Sequence, residues 1–282
     1  MIQLEDSAIR QRWIVGALIT VVAAAAAPAS AQTDYYNTDS GRPLTVEDAY
    51  PTERYAFELQ LAPVRVERSR GGIYTWSVEP EIAYGICPRT HIELGAPLSY
   101  TDAGGVRRSG LAGLELGVLH NLNAETVWPA LAIAAEMLFP IGSLAPDRGY
   151  GTVKGIATRT LSWARFHLNG AYTFGSEPEV ETLENGSPHV RRWLGGIAVD
   201  HTFPLRALLI GGEVVASQPI VDHEDVEWSV AAGARYQVSP VIAIDAGVGK
   251  TLTGEAQPWF LTFGMARAFG VRALFPVPRG AR

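Results

Sequence analysis

From position 74 to position 86 apolar and polar residues alternate: Tyr74, Trp76, Val78, Pro80, Ile82, Tyr84 and Ile86 hold the even places, and Thr75, Ser77, Glu79, Glu81, Ala83 and Gly85 the odd ones. Successive side chains of a strand point to opposite faces, so the large apolar groups of this segment share one face. After a turn at Cys87-Pro88-Arg89 the alternation resumes, with Ile92, Leu94, Ala96, Leu98 and Tyr100 against His91, Glu93, Gly95, Pro97 and Ser99. Two long alternating segments joined by a tight turn predict a β-hairpin.

The pattern recurs to the end of the chain. Leu114, Leu116 and Val118 oppose Gly113, Glu115 and Gly117; Ala164, Phe166, Leu168, Tyr172 and Phe174 oppose Arg165, His167, Asn169 and Thr173. Trp193, Ile197 and Val199 oppose Arg192, Gly196 and Asp200, and Trp228, Val230, Ala234, Tyr236 and Val238 oppose Glu227, Ser229, Gly233, Arg235 and Gln237. Further strands are predicted over 130–139 and 242–251, at Trp259, Leu261, Phe263 and Met265, and, more weakly, over 55–67, 153–161 and 208–218. The total is about twelve, an even number in the range of transmembrane barrels. Tight turns near 87–89, 123–126, 162, 204–207 and 239–240 alternate with mostly longer polar stretches at 102–110, 141–152, 176–189, 219–225 and 253–258. Short turns at one end and longer loops at the other are the habit of outer-membrane barrels, the short ones being periplasmic.

Alternation alone does not say whether the apolar face is a buried core or a lipid-facing belt, and a soluble periplasmic β-sheet protein is the rival reading. Strands of about ten residues are long for a soluble sheet and suit a tilted membrane strand. Six of the seven tryptophans (Trp76, Trp128, Trp163, Trp193, Trp228 and Trp259) fall near the start of a predicted strand, as interfacial girdles require. The polar face mixes Gly and Ala with Glu and Arg, and the chain has only two lysines, Lys154 and Lys250, although Lys is the usual guard of soluble sheet surfaces. Pro80 and Pro97 lie inside predicted strands, and bulges are expected there because proline cannot donate to the ladder.

Composition narrows the alternatives. The 282 residues are 47% hydrophobic and 18% charged, with net charge −6 and a single cysteine. Disorder, a disulfide scaffold and a nucleic-acid binder are thereby excluded. Arg10 and Arg12 precede an apolar run from Trp13 to Ala27 and an Ala29-Ser30-Ala31 site, which predicts a signal peptide cleaved after Ala31, an uncleaved anchor being the competing reading. The expected organisation is a signal peptide at 1–31, an N-terminal segment at 32–52, a transmembrane antiparallel β-barrel at 53–269 and a tail at 270–282. The segment at 32–52 lacks strand alternation and is read as a periplasmic arm, a flexible processed terminus or a plug folded into the lumen.

With the apolar face outward, the other face lines the interior. The candidates for a constriction are Glu79, Glu81, His91, Glu93, Glu115, Arg165, His167, Arg192, Glu227, Arg235 and Asp245, with Glu136, Asn169, Asp200 and Glu213 on the same face. Opposite charges on different strands can pair across a narrow lumen, either to select small solutes or simply to hold the barrel's shape. No Gly-x-Ser-x-Gly elbow, His-Glu-x-x-His run or Cys/His metal spacing is present, so neither an enzyme nor a metal or other cofactor is expected. Asp222-His223-Glu224-Asp225 reads as a solvated acidic loop.

Positions 42–68 (RPLTVEDAYPTERYAFELQLAPVRVER), 78–100 (VEPEIAYGICPRTHIELGAPLSY), 110–126 (GLAGLELGVLHNLNAET) and 164–175 (ARFHLNGAYTFG) resemble the outer-membrane family labelled as the meta-pathway of phenol degradation type. The resemblance spans most of the mature chain and rests on barrel-wall patterns. It implies an outer-membrane transporter passing small molecules, aromatic or hydrophobic ones among them, and assigns no residue a binding role. The sequence therefore predicts a bacterial outer-membrane barrel whose partners are membrane lipid and a small-molecule solute. A closed structural or surface-interaction barrel without transport is the alternative.

Overall fold

In the computed structural model the described residues are 37–178, 190–221, 225–254, 256–271 and 274. The expected signal peptide, the start of the N-terminal segment, most of the loop at 176–189, the acidic residues 222–224 and nearly all of the tail lie outside them. Fourteen strand segments form one antiparallel sheet: β1 (Ala56–Arg68), β2 (Tyr74–Cys87), β3 (Thr90–Gly95), β4 (Leu98–Ala103), β5 (Val106–Leu111), β6 (Leu114–Asn121), β7 (Ala130–Phe139), β8 (Tyr150–Thr160), β9 (Arg165–Phe174), β10 (Arg191–Thr202), β11 (Leu208–Pro219), β12 (Glu227–Ser239), β13 (Ile242–Thr251) and β14 (Trp259–Gly270). β3 and β4 are two halves of one stave, as are β5 and β6, because β2 pairs with both β3 and β4 while β6 pairs with β3 and β5 with β4. β1 pairs with both β2 and β14, which closes the sheet into a barrel of twelve staves.

The outward face is the apolar one. Trp76, Leu94, Leu116, Ile133, Val153, Leu168, Ile197, Val214, Trp228, Ile244, Leu261 and Phe263 all project from the wall, each between 45% and 59% exposed apart from Ile244 at 44%. Such a band belongs in lipid, where no buried core is needed to satisfy it. Trp128 and Trp163 stand by the end with short turns, Trp76, Trp228 and Trp259 by the end with longer loops. At the closing seam Phe57 of β1 stacks between Tyr84 of β2 and Phe269 of β14, with ring centroids 4.4 and 5.4 Å away.

Two expectations change in detail. The register of β2 against β3 and β4 runs unshifted past Pro80 and Pro97, from Glu81↔Gly95 to Val78↔Leu98. The extra residues sit in the neighbouring staves instead: β1 bulges between Leu61 and Val64, opposite Pro80, and Ala112-Gly113 separates β5 from β6 opposite Pro97. A missing N–H is tolerated where the partner strand bows away. The stretch at 102–110, expected as a loop, is instead mostly strand, with β4 and β5 meeting at Gly104-Gly105.

Candidate functional site

The described part of the N-terminal segment, 37–52, runs inside the barrel. It has no partner strand of its own, so its backbone groups are met by turns within the segment and by side chains from the wall. Glu213 of β11 accepts from Val46 N at 2.8 Å. Asn169 of β9 both accepts from Glu47 N at 2.8 Å and donates to Glu47 O at 2.9 Å. Thr158 of β8 accepts from Ala49 N, Asn121 of β6 donates to Ala49 O, His91 Nδ1 of β3 accepts from Thr52 N, and Thr262 of β14 donates to Pro43 O. Staves from every side of the barrel thus hold one strip of chain, which turns at Asp39–Arg42 and folds back so that Asp48 N donates to Thr38 O.

Apolar contacts seat the same strip. Leu44 and Val46 pack on Ala198 and Val215, and Ala49 packs among Leu119, Ala130, Ala132, Ala134 and Ile156. The small residues on the lumen face gain a reason here. A Cβ on Gly233 would stand 2.6 Å from Pro43 Cβ, and one on Gly196 2.6 Å from Val46 Cγ2, closer than packed atoms come.

Charge fixes the strip on one side. Asp39 accepts from Arg42 and, at 2.7 Å, from Arg235. Arg42 also reaches Asp245 at 3.3 Å, and Glu58 of β1 lies 3.7 Å from both guanidinium groups. Both arginine side chains are fully buried. Lys154 of β8 sits between Glu47 of the strip, 2.5 Å away, and Glu136 of β7, 2.8 Å away. Arg165 pairs with Asp200 directly across the β9–β10 ladder at 2.9 Å and approaches Asp48 at 3.9 Å. The cations of β8, β9 and β12 therefore meet acids of the strip as well as acids of other staves, the wall-to-wall pairing that the sequence led us to expect.

The facing wall is acidic. Glu79 and Glu81 of β2, Glu93 of β3, Glu115 of β6 and Glu136 of β7 all face inward, and together with Asp39, Glu47 and Asp48 they line a gap of about 100 Å³ between strip and wall. Glycines interleave with these carboxylates across the ladder: Glu81 and Glu115 are both opposite Gly95, and Glu93 and Glu136 are both opposite Gly117. No two of these glutamates are direct cross-strand partners, which lessens repulsion between like charges. Glu93 is held by His91 at 2.8 Å and Glu136 by Lys154. Glu79, Glu81 and Glu115 make no ion pair or hydrogen bond among the described residues. Above the gap, toward the longer loops, the lumen opens into a cavity of about 820 Å³ lined in part by Arg65, Glu67, Arg191, Thr101, Thr152 and Tyr150.

The remaining sequence candidates fall in three places. Arg165, His167, Arg235 and Asp245 are on the paired side. Glu227 stands at the loop end of β12 beside Gly254. Arg192 was expected to line the lumen, but it bonds the carbonyls of Thr173, Gly175 and Ile220 at the loop rim. A bulge between Arg191 and Trp193 shifts the register, so Arg191 lines the cavity instead. Asp39, Arg42, Glu47, Asp48, Glu58, Lys154 and Arg65 were not among the constriction candidates. Thr158, His167 and Asp200 form a hydroxyl–imidazole–carboxylate row, with contacts of 3.1 and 2.9 Å. The Thr158 hydroxyl lies wholly buried beneath Ala49, whose amide it accepts, an arrangement that braces the strip and offers no reacting atom a place.

The fold matches that of an outer membrane channel from Pseudomonas putida F1, with a TM-score of 0.55, 12% identity, and coverage of 82% of this chain and 100% of that one. It is also similar to the NanC porin, with a TM-score of 0.50, 8% identity, and coverage of 74% and 98%. No curated protein matches the sequence. A closed twelve-stave barrel with an apolar belt and aromatic rims is an outer-membrane barrel, and the bacterial outer membrane is its location. A family profile described as "Putative MetA-pathway of phenol degradation" matches residues 72–269, and the chain belongs to that family.

Proposed function

We propose that the barrel passes small solutes passively across the outer membrane, with the inner strip 37–52 and the glutamate wall as its constriction. The observation that carries this reading is the pair of cavities in the lumen, about 820 Å³ toward the longer loops and about 100 Å³ beside the strip, both lined by charged groups. Beside the strip a gap of about 100 Å³ remains against the glutamate wall, room for water-sized species. The family description, which concerns phenol degradation, supports small aromatic compounds as cargo. Planar-bilayer recordings should show small, reproducible conductance steps, and liposome swelling should fall steeply with solute size. Uptake of a small aromatic compound faster than that of an aliphatic one of equal size supports the aromatic class. A sealed barrel that neither conducts nor admits solute overturns the proposal.

A second reading, a closed barrel without transport, draws on Arg42 and Arg235, whose complete burial in ion pairs ties the strip to the wall. The same recordings separate the two.

A further inference from the structure

At the loop end of the barrel, on the outward face, four residues on four neighbouring strands form a row. Arg68 of β1 is the register partner of Tyr74 on one side and of Trp259 on the other, and Trp259 is also the partner of Lys250 of β13. The row therefore reads Tyr74, Arg68, Trp259, Lys250, an alternation of ring and cation at a single height. The Arg68 guanidinium lies 5.7 Å from the centre of the Tyr74 ring, and the Lys250 ammonium 5.0 Å from that of Trp259. A hollow of about 210 Å³ opens between them, lined by Arg68, Ser69, Arg70, Lys250, Gln257 and Trp259. Arg70 N donates to Ala256 O, which ties the β1–β2 loop to the β13–β14 loop behind the hollow.

We propose that this row binds the phosphate of an outer-leaflet lipid. The location supplies the first argument: aromatic rims mark the headgroup level of the membrane, and Tyr74 and Trp259 are 41% and 58% exposed there. Charge supplies the second. In a chain of net charge −6 with only two lysines, three cations converge on one hollow, and none of the described residues lining it is acidic. The rings draw the charged ends of Arg68 and Lys250 toward the hollow, so that less side-chain freedom is lost when those ends close on an anion. A guanidinium and an ammonium together suit a phosphate, one by its planar fork of donors and the other as a point charge. Facing lipid, the row meets a headgroup whose acyl chains lie against the apolar wall below, at Val66, Trp76 and Leu261.

Native mass spectrometry of the whole barrel in neutral detergent tests this, with diphosphorylated lipid A, the same lipid stripped of its phosphates, and inorganic phosphate as probes. The phosphorylated lipid is expected to bind at least about tenfold more tightly than the stripped one, and the Arg68→Gln, Lys250→Gln double variant is expected to lose that margin. The heat-dependent gel shift of a folded barrel verifies that the variant is intact, and Trp259→Leu provides a second, charge-neutral probe that should weaken binding in part. Arg206→Gln, which removes a cation at the opposite rim, is expected to change nothing. Equal binding of the stripped lipid, a double variant as tight as the parent, a loss in Arg206→Gln equal to that in the double variant, or inorganic phosphate binding as tightly as the lipid would each overturn the proposal.

Discussion

Arg235 donates to Asp39 across 2.7 Å although 196 positions separate them in the chain. The contact joins β12 to the inner strip, and its arginine is wholly buried. Replacing Asp39 with Asn removes the acid nearest to both Arg42 and Arg235. Breaking a buried pair from one side costs about 3–5 kcal/mol. The strip is expected to leave its seat, giving single-channel steps larger and noisier than those of the parent, while the gel shift of the folded barrel persists.

A steric route should reach the same state without touching a charge. Val at position 233 places side-chain atoms where Pro43 now lies, and overpacking of this kind costs roughly 1–3 kcal/mol. Gly233→Val is expected to raise conductance as Asp39→Asn does. Gly170→Val, at a position with open space around it, is expected to leave conductance unchanged in the same recordings.

The unpaired carboxylates of Glu79, Glu81 and Glu115 should make the constriction prefer cations. Under a potassium chloride gradient the parent barrel is expected to show a reversal potential of the cation-selective sign. Replacing the three with Gln should bring it toward zero with little change in conductance.

Screening offers a check that needs no variant. The Debye length is about 10 Å at 0.1 M salt and about 3 Å at 1 M. The cation preference is therefore expected to shrink as the mean salt concentration is raised at a fixed concentration ratio. A preference independent of salt would point to size selection.

Much of this architecture is written in the alternation of residues, because lipid accepts only apolar side chains and the period of two carries that demand along every strand. The segment from Tyr74 to Ile86 shows its outward face without any structure. The lumen face is harder to read. Gly196 and Gly233 look like weak points of a strand until the strip that fills the space beside them is known. Arg191 and Arg192 exchange roles because a bulge breaks the parity on which the reading depends. The strip has no periodicity, since its backbone is satisfied by single side chains from many staves; its only sequence signal was the density of charge at Asp39, Arg42, Glu47 and Asp48.

The division of charge inside the lumen links pore size to ion preference. Asp39, Glu47 and Asp48 travel with the strip, together with Arg42, whereas Arg235, Lys154 and Arg165 belong to the wall. A strip that moves out takes more acid than base with it as it widens the passage, while Lys154 keeps Glu136 and Arg165 keeps Asp200, so the wide state should prefer cations less than the narrow one. Deleting residues 37–52 is expected to shift the reversal potential toward anions as conductance rises. The position of one short segment of chain would then set both the width of the passage and the strength of its preference for cations.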